Sequence, residues 1–377
     1  MSGKSWQGLV LACGALGLLT SLQSNEGDAT QDAPESVPDE APHARAPHNV
    51  PLVITEGAWL RAPGADWFAE RAKAEPTRFT HDANAAEGAG GWVDSTGEYS
   101  LSMVEGEWAY WQWASADRLT RGRQDFVQFC ASCHGLNGDG YGRSAQHLRP
   151  SPRNFQQNKF KFTKVIADLP TDEALMAVIK RGLAGTPMLP WDLSDEQLLD
   201  IIQYVKSLSP EESGWRDVYS QVGDAVEVTE DPWEGIETRA IARGREVYHG
   251  AASCHLCHPG YVTSEDMRVI RKDPEGTVYR ADLTYPALKD SEYEVQGRAT
   301  KVMPPDFTWH QLRAGIETAD LFQTIASGIK GTAMPQWKGA ISDEDLWALA
   351  HYVEDLIKSY KDQPAKRGAF MSALREQ

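Results

Sequence analysis

Cys130-Ala131-Ser132-Cys133-His134 and Cys254-His255-Leu256-Cys257-His258 repeat one pattern and use four of the five cysteines in the 377-residue chain. Two thiols at this spacing lie on one helical turn, and the imidazole that follows reaches out on the same side. Thioethers to the two vinyl groups of a haem need that placement, with the histidine free to take the iron. A zinc half-site would need further soft ligands, yet the remaining cysteine, Cys13, lies far away in an apolar leader. A thioredoxin-like dithiol needs no following histidine and sits on a βαβ pattern, which this chain lacks. Two covalently bound haem c groups, each with its iron, are therefore expected, and they would supply much of two cores.

The length allows two or three domains of about 100 to 150 residues each, with 41% apolar residues to fill them. The formal net charge of -17 argues against nucleic acid, which needs a basic stripe. A basic redox partner protein, or solubility alone, fits that charge better.

Residues 1–7 carry one lysine and no acid, and residues 8–22 run apolar apart from Thr20 and Ser21. Residues 1–23 thus read as a signal peptide or membrane anchor, which places the chain on the periplasmic side of the cytoplasmic membrane. Val10-Leu11-Ala12-Cys13 has the form of a lipoprotein box, although only about four apolar residues precede the cysteine. Cys13 is thus either a lipid anchor or a plain apolar residue of the leader. A retained stretch of about 15 residues falls short of the roughly 20 that span a bilayer. Membrane association is expected by one of these routes.

Residues 24–51 are rich in Pro, Ala, Asp and Glu with almost no large apolar side chain, the composition of a disordered tether. Residues 52–115 gather Trp59, Trp67, Trp92, Trp108, Trp111 and Trp113. The alternation at 108–113 suits a strand or a segment lying on another domain. It either packs against the first haem domain or forms a docking patch.

The rest is an internal repeat. Arg121-Gly122-Arg123 answers Arg243-Gly244-Arg245, and Gly182 to Trp191 answers Gly328 to Trp337 around Gly185-Thr186-Pro187-Met188 and Gly331-Thr332-Ala333-Met334. Ser194 to Leu198 answers Ser342 to Leu346. Two domains follow, 116–209 and 238–360, with an acidic linker at 210–237 and a tail at 361–377. Each reads as helices. Leu119, Gly122, Phe126 and Phe129 share one face, as do Ile241, Gly244, Val247, Tyr248 and Ala251, with a glycine that permits a close crossing. Middle helices at 171–181 and 318–327 stop at Gly182 and Gly328. Ser194 with Gln197 makes a capping box for a last helix that buries Leu198, Ile201, Ile202, Val205 and Leu208. The counterpart buries Leu346, Leu349, Val353 and Leu356.

With these motifs in place, the chain resembles the class I cytochromes c, in particular their double-domain diheme members, over a little over half its length. The resemblance implies a mainly α fold, each domain wrapping its helices around one haem, with histidine and methionine as axial ligands. On the matching residues, Cys130, Cys133, Cys254 and Cys257 hold the haems, His134 and His258 take the proximal iron position, and Met188 and Met334 take the distal one. His147 and Met303 are the rival distal ligands. Leu189 stands where the family usually has proline. The interval from first cysteine to methionine grows from 58 residues (130 to 188) to 80 (254 to 334), and the extra length falls in 260–300, read as a loop insertion. His255 is expected to point away from the iron, and His249, His310 and His351 to pack or face solvent. Trp191 and Trp337 would cover a haem edge, and Arg153 would pair with a propionate or remain solvated.

Filled axial positions leave no vacancy for substrate, so single-electron exchange is the expected activity, with a methionine ligand favouring the ferrous state. The expected partners are redox proteins: a membrane dehydrogenase or quinol-oxidising complex as donor, and a terminal oxidase or soluble cytochrome as acceptor. A diheme peroxidase, a diheme subunit of a terminal oxidase or quinol-oxidising complex, and a Trp-rich binding module that merely bears haems are the competing readings.

Overall fold

The computed structural model describes residues 53–81, 92–104, 107–272, 289–295 and 298–375. The expected leader, the acidic tether and Cys13 lie outside the described residues.

The Trp-rich segment is a small sheet with one helix: β1 (Ala58–Arg61), α1 (Ala65–Ala74), β2 (Phe79–His81), β3 (Trp92–Asp94), β4 (Tyr99–Val104) and β5 (Glu107–Ala114). The 108–113 alternation lies in β5, the central strand of an antiparallel sheet ordered β1-β5-β4. Its period of two puts Tyr110 into an aromatic cluster with Phe68, Phe79 and Tyr99 and leaves Trp113 on the other face, packed on Trp59 at 5.1 Å with the rings tilted by 55°. Leu60 and Ala114 extend this segment into the core of the first haem domain, which answers the packing alternative.

The first haem domain contains α2 (Ala116–Phe129), α3 (Ala131–His134), β6 (Leu169–Pro170), α4 (Asp172–Arg181) and α5 (Asp195–Ser207). Helix α2 crosses α5 with Gly122 at the contact, where an added Cβ would come within 1.9 Å of the Asp200 carbonyl oxygen. No other side chain fits there. Ser115 caps α2, Thr171 caps α4, and Ser194 and Gln197 form both halves of the capping box on α5. Gly182 ends α4 with φ +67°, a conformation that glycine adopts without strain.

The 210–237 span, expected as a linker, is a strap packed on both haem domains. Trp215 is fully buried in the first core, β7 (Val222–Gly223) pairs in parallel with β6, and Val226 and Trp233 enter the second core. Trp233 Nε1 donates to the Glu344 carbonyl at 2.9 Å. Acidic composition hid this packing, since three apolar residues widely spaced carry no periodicity.

The second domain contains α6 (Glu237–His249), α7 (Ser264–Arg271), β8 (Lys289–Val295), β9 (Arg298–Val302), α8 (Thr318–Ser327) and α9 (Asp343–Tyr360). Helices α6 and α9 cross as α2 and α5 do, with a Cβ at Gly244 placed 2.0 Å from the Ala348 oxygen. Two expectations need correction. Ala251 is exposed, because α6 ends at His249 and the chain turns at Gly250, so His249 and Ala252 are buried instead. The insertion is not merely loop, since it holds α7, capped by Thr263, and the antiparallel β8-β9 pair. The tail folds as α10 (Pro364–Arg375), which stacks Phe370 on Tyr360 at 4.8 Å and buries Met371 and Leu374.

The haem domains meet directly. Lys164 of the first pairs with Asp320 and donates to Gln323 at 3.1 Å, and Lys330 reaches the Ile166 carbonyl at 2.7 Å. Among the described residues no helix is long and apolar enough to cross a membrane.

Candidate haem sites

Each Cys-x-x-Cys-His motif closes one tight turn, directly after α2 in the first domain and after a short turn from α6 in the second. The amide of His134 donates to the Cys130 carbonyl at 3.0 Å, and that of His258 to the Cys254 carbonyl at 2.9 Å. All four thiols are free of disulfides. Burial pushes the Cys130 and Cys254 thiols up to about 12, the opposite of the depressed value a redox-active dithiol needs.

The two imidazoles are held alike. His134 Nδ1 lies 3.0 Å from the Arg153 carbonyl oxygen, and His258 Nδ1 lies 3.0 Å from that of Pro305. A carbonyl only accepts, so Nδ1 carries the proton in both rings and Nε2 keeps its lone pair for a metal. Burial lowers both imidazoles and keeps them neutral, as a ligand must be. A phenyl ring lies against each: Phe155 on His134 at 4.6 Å and Phe307 on His258 at 4.8 Å.

The methionine loops also superimpose bond for bond. In the first, Leu183 N–H donates to the Met188 carbonyl at 2.8 Å, and Met188 N–H donates to Thr186 Oγ1 at 3.1 Å. In the second, Ile329 and Met334 pair at 3.2 Å, and Met334 N–H donates to Thr332 Oγ1 at 3.2 Å. Each threonine hydroxyl donates back across the loop, to Leu183 at 2.8 Å and to Ile329 at 2.7 Å. This explains the Gly-Thr-x-Met spacing: the threonine locks the turn that presents the methionine, and Leu189 in place of proline does not alter it. Both methionines are half-buried.

The rival ligands are placed otherwise. His249 is buried with both ring nitrogens engaged, Nδ1 to the Arg245 carbonyl at 2.8 Å and Nε2 from the Tyr261 amide at 3.1 Å, and burial takes it down to about 3. His351 pairs with Asp231 at 2.8 Å, and His310 Nδ1 accepts from the Asp306 amide at 2.9 Å. His147 is exposed beside Gln146, and Met303 is half exposed two residues before the carbonyl that holds His258. His255 is turned into the protein against His249 and Arg271. Trp191 packs on Phe129 at 5.6 Å.

The donor set fits haem c and not a bare metal ion. Among the described residues no three of His, Cys, Asp and Glu gather into a cluster that would hold one. Beside Cys130, the core leaves Leu136, Phe155, Met176, Ile179 and Leu193 partly exposed, and beside Cys254 it leaves Phe307, Leu312, Ile316, Trp337 and Ile341 so. Apolar side chains half out of a core suit the faces of a macrocycle. The carbonyls of Arg153 and Pro305 were not singled out as functional from the sequence. Their signal was the alignment of Pro152-Arg153-Asn154-Phe155 with Pro304-Pro305-Asp306-Phe307, which holds in space because the second residue of each accepts from its histidine.

Comparison with known proteins agrees with this geometry. The cytochrome c family model matches residues 119–209, and the model for subunit III of the cbb3-type cytochrome c oxidase matches residues 239–353. A comparison with curated proteins finds no match. Among solved structures, a chain of the reducing HAO-like protein complex of Kuenenia stuttgartiensis is 27% identical, covering 63% of this chain and 96% of its own, with a TM-score of 0.49. With both halves of the repeat matched over more than half of its length, the chain belongs to the class I c-type cytochromes, as a two-domain electron carrier with two covalently bound haem c groups.

Proposed function

We propose that the protein is an exported cytochrome that passes single electrons from a membrane donor to a redox partner in a respiratory chain, through one haem in each domain. The observation that carries this reading is the twofold occurrence of the same preformed set: two thiols on one turn, a histidine locked by a backbone carbonyl, and a threonine-braced methionine loop. Bound haem c supplies one-electron exchange between ferric and ferrous iron. In this reading Cys130 and Cys133, and Cys254 and Cys257, hold the two macrocycles. His134 and His258 would hold the iron through Nε2, and Met188 and Met334 through their thioethers. The apolar residues beside each motif exclude water, and the fixed rings and loops keep the rearrangement between oxidation states small. Export follows from the character of residues 1–23, with Cys13 as either lipid anchor or leader residue.

The test is haem stoichiometry with a redox titration. The expected result is two irons per chain in denaturant-resistant linkage, both reversibly reducible without peroxide turnover. Met188→Ala and Met334→Ala should each remove one methionine-to-iron absorption band and lower one potential by at least a tenfold step in the ferric to ferrous equilibrium, about 59 mV. Retention of both bands in both variants refutes the ligand assignment, and a high-spin haem with peroxide turnover would make the protein a peroxidase.

A second reading, a diheme subunit of a terminal oxidase complex, is favoured by the match of residues 239–353 to an oxidase subunit. It changes the partner and not the chemistry. Copurification with an oxidase after detergent extraction of membranes separates it from a free shuttle.

A further inference from the structure

We infer that Arg367, on the C-terminal helix α10, is a positioning residue for the second haem, and that it also sets that haem's potential by neutralising a buried carboxylate one residue from the carbonyl that holds His258. This rests on the proposed assignment of His258 as proximal ligand.

The argument starts from the two turns that carry the histidine-binding carbonyls. In the first domain the residue after Arg153 is Asn154, a neutral amide whose Oδ1 accepts from the Gln156 amide at 2.9 Å. The residue after Pro305 is Asp306, whose Oδ1 accepts from the Thr308 amide at the same 2.9 Å and from the Thr308 hydroxyl at 2.6 Å. The turn is the same, but the second carries a charge. The Asp306 side chain is 3% exposed, and an uncompensated carboxylate at that depth is strongly destabilising.

Its counter-charge comes from outside the haem domain proper. Arg367 Nη2 lies 2.5 Å from Asp306 Oδ2, and Arg367 Nε donates to Thr308 Oγ1 at 2.9 Å, so one guanidinium clamps both ends of the turn. The guanidinium also lies over Trp309, 5.5 Å from the ring centroid. Tyr261, from the insertion, completes the frame: its hydroxyl donates to Asp306 Oδ1 at 3.1 Å and accepts from the Phe307 amide at 2.8 Å. Phe307 is the ring stacked on His258. Arg367 therefore bears on the proximal ligand in two ways, by fixing the carbonyl that orients it and by cancelling a negative charge on the residue next to that carbonyl. An uncancelled carboxylate favours the cationic ferric state and lowers the potential.

The experiment uses the full-length holoprotein. Haem content and the optical spectra of the unmutated chain and of His258→Ala are measured first, so that failure of the ligand assignment shows there, as fewer than two covalent haems or as a His258→Ala spectrum unchanged from the unmutated one. A redox titration of Arg367→Gln should then move one of two waves downward by about a tenfold step in the ferric to ferrous equilibrium, about 59 mV, and leave the other in place. The double variant Asp306→Asn with Arg367→Gln, which gives the second domain the neutral turn of the first, should return that wave to near its original position. Loss of the second domain's methionine-to-iron band in the single variant and its return in the double would likewise place the requirement on the buried carboxylate. The inference is overturned if neither wave moves, if both move together, or if the double variant behaves as the single one does.

Discussion

The two haem domains share a helix crossing and differ in what secures it. In both, the first helix meets the last at a glycine lying on a backbone oxygen of the last helix: Gly122 on Asp200, Gly244 on Ala348. These positions correspond, since Ser194 and Ser342 begin the two last helices and Asp200 and Ala348 lie equally far beyond them. In the first domain the residue at the crossing also holds the helices together from its side chain, with Asp200 accepting from Arg118 at 2.9 Å and Arg121 at 2.7 Å. In the second that side chain is a methyl, and stability is drawn from parts the first lacks: the insertion helix α7 and the tail helix α10. A repeated domain thus kept its cofactor geometry while its supports diverged.

The glycines carry the common element, so they give the largest expected effect. Gly122→Ala and Gly244→Ala place a methyl within 2.0 Å of backbone that cannot rotate away. Each should cost at least about 4–5 kcal/mol, the exceptional range for one substitution, and abolish the methionine-to-iron band of its own domain only. Thermal unfolding with the optical spectrum measures this, and near-native stability of either variant would remove the crossing as the shared frame.

The strap gives the next largest. Trp215→Ala should cost about 3–5 kcal/mol in the first domain, and Trp233→Ala, from a site 8% exposed, somewhat less in the second. If both variants destabilise both domains equally, the strap couples the domains as one cooperative unit and the comparison must be made of the whole.

Acid distinguishes the domains by a single helix position. Val127 in α2 corresponds to His249 in α6. Burial takes His249 down to about 3 from its ordinary 6.5. The folded second domain therefore binds fewer protons than its unfolded chain across that interval. Its stability is full above about pH 6.5 and falls as pH drops toward 3, by about 1 to a few kcal/mol. Asp306, held below the usual carboxylate range by Thr308 and Arg367 in spite of its burial, adds a loss at the acid end of the same window. Unfolding followed domain by domain against pH should show the second domain failing first. His249→Gln, which keeps a donor and an acceptor, should flatten that slope.

The parts legible in the sequence were those that repeat. Two haem motifs, two threonine-braced methionine loops and two glycine crossings could be aligned, and each copy supported the other; the capping box at Ser194 and Gln197 and the stops at Gly182 and Gly328 obeyed local rules that need no partner. The parts that were not legible depend on distant contacts. Arg367 reads as one cation in a charged tail until α10 is seen against Asp306, 61 residues earlier. Trp215 and Trp233 read as scattered aromatics in an acidic linker, and backbone carbonyls such as that of Pro305 have no residue type to announce them. Helix α7 was hidden by its setting, because a single capped helix inside an unmatched insertion has no second copy to align with.

The smallest expected difference lies in the ion pairs of the crossing itself. Asp200 is 4% exposed and shared by two arginines, whereas Arg243 in the second domain pairs with Asp345, one turn earlier, where arginine and carboxylate are 44% and 16% exposed. Solvent screens the second pair and one of the first two arginines, so the gap is modest. Asp200→Asn should cost about 1–2 kcal/mol, because it leaves guanidinium groups without their shared acceptor at a packed contact, and Asp345→Asn no more than about 0.5–1 kcal/mol. Salt sharpens the test: the Asp345 effect should fade at high ionic strength, where the Debye length is about 3 Å at 1 M, and most of the Asp200 effect should persist. Equal losses with equal salt dependence would mean that the buried carboxylate adds nothing beyond a surface pair, and that the glycine contact rather than Asp200 secures the crossing of the first domain.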